Sequence, residues 1–160
     1  MVAPNRVFYT AAYGCGSRVL EITKDGDGYE ATELWHNKKL RVQHANVVQI
    51  GDFVYGTSGD FGPAILVAMN VKTGKVAWRK RGFPKSTILL VDGKLLMLDE
   101  DGRLTLATAS PEGLEIHAQA QVLSAEGHKT WTVPTLVGTR LYLRDFEQIM
   151  ALELGVGGDS

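Results

Sequence analysis

Apolar positions along this chain come in short runs and alternations bounded by glycine, proline, asparagine and aspartate. No window keeps a helical spacing for longer than a turn or two. The clearest stretch predicts four strands. Val47–Ile50 is a short, mostly apolar run, Gly51-Asp52 supplies a two-residue turn, and Phe53–Thr57 follows. A loop rich in Gly, Pro and Asp from Ser58 to Pro63 leads to a third strand, Ile65–Asn70. Lys72-Thr73-Gly74 then turns the chain into a fourth, Lys75–Lys80. Further on, Lys94–Leu98 and Arg103–Ala109 flank Asp99-Glu100-Asp101-Gly102, whose Asp-Gly pair is a hairpin signal.

The pattern repeats. Val47-Val-Gln-Ile-Gly51-Asp-Phe-Val-Tyr55 aligns with Leu89-Leu-Val-Asp-Gly93-Lys-Leu-Leu-Met97 and with Pro134-Thr-Leu-Val-Gly138-Thr-Arg-Leu-Tyr142. The turn glycines at 51, 93 and 138 give periods of 42 and 45 residues. A degraded copy opens the chain as Val2-Ala-Pro-Asn5-Arg-Val-Phe-Tyr9, with Asn5 in the glycine position, where Asn tolerates a positive φ. Four strands at a period in the low forties is the signature of a β-propeller blade. The expected fold is therefore all-β, a partial propeller of about three and a half four-stranded antiparallel blades. Their bounds are about 2–37, 45–83, 87–121 and 132–155, with a flexible tail at 156–160. The first copy supplies strands near 7–12, 18–23 and 29–35 and only a remnant of its first strand. The last supplies Thr135–Val137, Arg140–Arg144 and Ile149–Leu154. An open arc leaves blade faces in water, so the expected partners are missing blades, a second copy of the chain, or another protein.

Composition narrows the picture mainly by exclusion. Seventeen basic and 18 acidic residues leave a formal charge of −1, without the clustered Lys and Arg of a nucleic-acid footprint. The densest basic run, Trp78-Arg79-Lys80-Arg81, falls at an outer strand end, where charge protects a sheet edge. The single cysteine, Cys15, permits neither an internal disulfide nor a Cys-based zinc site. No apolar run approaches the ~18 residues of a membrane span, and the first residues carry no apolar core of a secretory signal.

One segment carries a resemblance. Ala68-Met-Asn70-Val-Lys-Thr73-Gly74-Lys-Val-Ala-Trp78 is similar to the tryptophan-docking repeat of PQQ-like (quinoprotein-type) propellers. In the third copy Ala107 and Gly113 keep the spacing, with His117 in place of the Trp, and in the first copy Trp35 lies further from its turn. The chain thus resembles the C-terminal portion of a longer PQQ-like repeat protein. That superfamily includes quinone-dependent alcohol dehydrogenases and a non-enzymatic lipoprotein that helps assemble outer-membrane β-barrels. The resemblance implies stacked blades and a periplasmic or secreted setting, and PQQ as a cofactor only by inheritance, since many bearers of the repeat bind no quinone.

Function in such folds sits on loops around the central channel. Seven residues before the turn glycines lie His44, Ser86 and Trp131, and with their neighbours they define a candidate channel mouth of Arg41, His44, Lys85 and Trp131, joined by His128. Trp131 suits stacking and Arg41 or Lys85 suit carboxylates, so a flat anion would fit there. No catalytic constellation and no metal site are assigned. His36, His44, His117 and His128 lack ligand spacing, and His117 is read as packing between blades. Asp25, Asp27, Asp99, Glu100 and Asp101 belong to hairpin turns, without the glutamate that an EF-type calcium loop requires. Gly14-Cys15-Gly16 marks a bend between strands and lacks the rest of a dinucleotide fingerprint. A quinoprotein dehydrogenase would need an Asp and a calcium site on the channel face; Asp60 and Asp145 occupy corresponding loops. The function expected from these features is a non-catalytic scaffold for protein or ligand binding, with a fragment of a PQQ-dependent dehydrogenase as the alternative.

Overall fold

The computed structural model describes residues 1–124 and 129–155; the expected tail at 156–160 and His128 lie outside them. The described chain is all-β, with no helix, and forms four antiparallel sheets in chain order. The first holds β1 (Arg6–Ala11), β2 (Gly16–Asp25) and β3 (Gly28–Asn37). The second holds β4 (Val48–Ile50), β5 (Phe53–Ser58), β6 (Ile65–Asn70) and β7 (Val76–Lys80). In the third are β8 (Ser86–Val91), β9 (Lys94–Asp99), β10 (Arg103–Ser110) and β11 (Gly113–Gln121). The fourth consists of β12 (Thr135–Val137), β13 (Arg140–Arg144) and β14 (Ile149–Glu153). Each sheet is a meander, every strand pairing with its neighbour in sequence. The remnant strand before β1 survives as one isolated bridge, Ala3 to Arg6.

Three apolar clusters join consecutive sheets. Val54, Val67 and Met69 face the first sheet's Phe8 and Trp35. Tyr55, Leu66 and Ala68, on the opposite face of the second sheet, meet Ile88, Leu95, Met97 and Ala107 of the third. Leu96 and Leu98 in turn meet Leu141 and Leu143 of the fourth. The period of two along β5 and β9 makes this possible, because Val54 and Tyr55, or Leu95 and Leu96, point to opposite sheet faces. Each fully buried Leu, Ile or Val contributes about 1.5–3 kcal/mol of transfer free energy, so these inter-sheet layers are the core. The fourth sheet has its far face in water, with Val137, Tyr142 and Ile149 exposed.

The strand register corrects the glycine alignment of the sequence. Ile50 pairs with Phe53, Val91 with Lys94 and Val137 with Arg140, so the turns open on Gly51, Asp92 and Gly138. Asp92 and Gly93 both take positive φ, 47° and 72°, the conformation of a tight Asp-Gly hairpin. Counting from Gly93 therefore shifts the third copy by one residue. Asn5 is the second residue of its turn, after Pro4, and is not among the residues with positive φ.

A second offset hides in the outer strands. Each of the first three sheets has a β-bulge beside one pair: Val19 opposite Trp35, Ala68 opposite Trp78, and Leu106 opposite Ala118. Ala118, one residue beyond His117, is thus the counterpart of the two tryptophans. His117 does not pack between sheets: it is exposed, and its Nε2 lies 2.7 Å from Thr108 Oγ1.

Both tryptophans reach forward onto the next sheet. Trp35 Nε1 donates to the Val71 carbonyl at 2.9 Å, and Trp78 Nε1 to the Ser110 carbonyl at 2.8 Å. Each also leans on an aromatic residue of its own sheet, Phe8 for Trp35 at 6.0 Å between centroids and Tyr55 for Trp78 at 5.9 Å. Gly74 is the floor under Trp35, which explains the glycine of the Thr73-Gly74 turn beyond its φ of 68°. Ala68 lies directly across the strand pair from Trp78 with none of its surface exposed.

Candidate functional site

In a meander, alternate connections leave from the same end, so one end of the four sheets collects a defined set of loops. These are β1–β2 (residues 12–15), β5–β6 (59–64), β9–β10 (100–102) and β13–β14 (145–148), together with the connections that pass from one sheet to the next. Backbone bonds tie them together. Gly59 N–H donates to the Arg41 carbonyl at 3.0 Å and Glu100 N–H to the Lys85 carbonyl at 2.8 Å, the same contact in two successive sheets. Glu100 passes the link on, its carbonyl accepting from Thr130 N–H at 2.9 Å.

Two of the four channel-mouth residues expected from sequence meet directly. The rings of His44 and Trp131 are stacked, with centroids 4.2 Å apart and planes 16° from parallel. His44 reaches this position with φ of 52°, a left-handed conformation uncommon in a residue with a side chain. Trp131 Nε1 donates to Glu100 Oε2 at 3.2 Å. Lys85, half-buried, joins the group through its carbonyl and Glu100. Lys85, Glu100, Trp131 and His44, each from a different connection, therefore form one connected series.

Arg41 belongs to a neighbouring group. Its Nη1 lies 3.1 Å from Asp60 Oδ2. Beside it, Gln43 Nε2 donates to the Tyr13 hydroxyl at 2.5 Å, and Tyr13 contacts Phe61 with centroids 5.6 Å apart. Arg41 Nε, Asp60 Oδ1, Gln43 Oε1 and Thr130 Oγ1 are buried without a protein hydrogen-bond partner among the described residues. Such atoms cost free energy unless something satisfies them, which places unused hydrogen-bonding capacity at this end.

The aspartates considered for a channel face already have partners. Asp60 holds Arg41, whereas Asp145 accepts from Glu147 N–H at 2.8 Å and Gln148 N–H at 2.9 Å, closing its own turn. Those backbone donors hold its carboxyl below the usual carboxylate range. Among the described residues no group of three or more His, Cys, Asp and Glu is arranged to hold a metal, and no helix is long and apolar enough to cross a membrane. Cys15 is exposed in the bend between β1 and β2, with its carbonyl 2.7 Å from His36 Nε2.

Sequence reasoning missed Tyr13, Phe61 and Glu100. The rule that every second loop shares an end would have found all three, because each sits in a β1–β2 type connection. Four aromatics stand out on these loops: Tyr13 is 65% exposed, Phe61 86%, Trp131 40% and Phe146 69%. No protein-family description matches the chain, and no curated protein matches it either.

Proposed function

We propose that this chain is a β-propeller segment of the PQQ-like repeat kind, and that it works as a non-catalytic scaffold binding a protein partner on its loop end. The observation that carries the proposal is the collection of Tyr13, Phe61, Trp131 and Phe146, all exposed, on loops of one end. Large aromatics exposed together are the usual anchors of protein interfaces. The orphaned Arg41 Nε, Asp60 Oδ1 and Gln43 Oε1 add polar groups that a partner's backbone could satisfy. Sequential stacking of the sheets and the repeated forward docking of Trp35 and Trp78 support the propeller part of the reading. The exposed far face of the fourth sheet supports packing of further blades, or of a second copy, against Val137, Tyr142 and Ile149.

Peptide display against the immobilised chain tests the binding surface. Selected peptides are expected to lose binding to the double variant Tyr13→Ser, Phe61→Ser and to keep it with Tyr29→Ser, a change in the distant β2–β3 hairpin. Peptides indifferent to the double variant would overturn the loop-end assignment. Dye-linked alcohol oxidation after addition of PQQ and calcium addresses the non-catalytic part. Turnover abolished by His44→Ala or Lys85→Ala would show an enzyme instead.

A further inference from the structure

The joint between the third and fourth sheets differs from the other two. Where Phe8 and Trp35, then Tyr55 and Trp78, fill the space between sheets, the equivalent positions hold Leu96 and Ala118. A cleft of about 480 Å³ lies at that place, lined by Leu96, Leu104, Leu106, Ala118, Leu136 and Leu154. Its volume falls within the roughly 300–1,000 Å³ of small-molecule sites. The acceptor that receives an indole in the first joint also has a counterpart. Val71 N–H bonds to the Asp52 carbonyl and Leu154 N–H to the Thr139 carbonyl, each at 2.8 Å, so Leu154 stands where Val71 stands.

We propose that this cleft is a binding site for a flat bicyclic aromatic ligand of the indole class, one that carries an N–H donor. The molecule itself states the fit: two homologous spaces in the same chain each take an indole whose N–H bonds to the next sheet's backbone. The ligand would lie between Leu106 and Ala118 on one side and Leu136 on the other, with its N–H toward the Leu154 carbonyl. Burial of its faces against leucines supplies the affinity, and the single hydrogen bond sets its orientation. This inference concerns the side of the stack remote from the loop end and stands or falls apart from the partner-binding reading.

Indole itself is the probe, titrated into the ¹⁵N-labelled chain. Saturable shifts are expected at the amides of Leu96, Leu106, Ala118 and Leu136, with the loop end unaffected. N-Methylindole, which has no N–H, should bind roughly fivefold to tenfold more weakly, the worth of one net hydrogen bond. Ala118→Trp should raise the melting temperature and abolish the shifts. If that variant does not fold, Ala118→Met, which occupies the same space with a flexible side chain, should weaken indole binding in its place. Absence of saturable shifts in the wild-type chain up to the solubility of indole, or equal binding by wild type and both variants, would overturn the assignment.

Discussion

The indole of Trp35 rests on the backbone of Gly74: a Cβ at residue 74 would stand 2.7 Å from two of the indole ring carbons. The glycine of one sheet is thus shaped by the tryptophan of the sheet before it. Asn37 Nδ2 secures the same spot by donating to the Gly74 carbonyl at 2.7 Å.

Gly74→Ala is therefore expected to be costly for two reasons, the φ of 68° and the collision with Trp35. Together they amount to about 2–4 kcal/mol. Gly51→Ala shares a positive φ, 57°, but a Cβ there meets nothing within 4 Å, and about 1 kcal/mol is expected. Urea unfolding of the two variants side by side checks the difference. Equal losses would show that the Trp35 contact contributes nothing.

Asn46 acts as a side-chain clamp between consecutive sheets. Its Nδ2 donates to the Ile88 carbonyl and its Oδ1 accepts from Ile88 N–H, both at 2.8 Å. Asn46→Asp keeps the shape but turns the donor into a second acceptor facing a carbonyl. A loss of about 2–4 kcal/mol is expected, against about 1–3 for Asn46→Ala. Denaturant melts at neutral pH measure both, and a milder effect for Asp than for Ala would contradict the bond directions.

His44 combines strain with stacking on Trp131. His44→Ala keeps the left-handed backbone cost and loses the ring contact, so a loss of about 0.5–1.5 kcal/mol is expected. His44→Gly also loses the ring but relieves the backbone, recovering about 1 kcal/mol. Both variants should alter Trp131 emission, which separates the stack from the backbone effect.

Asp99 links stability to pH. Desolvation by burial raises its carboxyl from 3.8, opposed by the amides of Arg103 and Asp101 and by the Arg103 charge. A raised folded pKa means that the folded chain holds this proton while the unfolded chain has lost it. The contribution of Asp99 to stability is therefore present in acid and is lost as pH rises from 3.8 through the folded value. Asp99→Asn keeps an Oδ1 acceptor for Asp101 N–H and Arg103 N–H, both at 3.0 Å, and removes the titration. Its melting temperature should gain on the wild type as pH increases across that window. Parallel curves for the two proteins would contradict the assignment.

The strands were legible because they alternate cleanly and are punctuated by turn residues. Val48–Ile50, Phe53–Ser58 and Ile65–Asn70 lie within a residue or so of the expected positions. The meeting of His44 with Trp131 was legible too, since both were placed by one count from their turns. What misled was register. Asp92 opens its turn with a positive φ where spacing points to Gly93. The paired positions Leu106 and Ala118 stand 12 residues apart where Ala68 and Trp78 stand 10 apart, so the tryptophan position falls on Ala118 and not His117. A hairpin lengthened by two residues keeps its alternation and leaves no mark in composition, so a fixed spacing carried over from one copy misses it. In the sequence Glu100 is one residue of a hairpin turn and nothing more, because its bonds to Lys85, Thr130 and Trp131 are made by segments distant in sequence.

The leucine-lined joint beside Ala118 gives the stack a preferred line of fracture. Tension applied through the two ends would load three seams in series, and two of them are bolted by an indole driven into the neighbouring backbone. The third has no bolt. Pulling should part the last sheet first, at low force and as a separate step, before the two bolted seams yield.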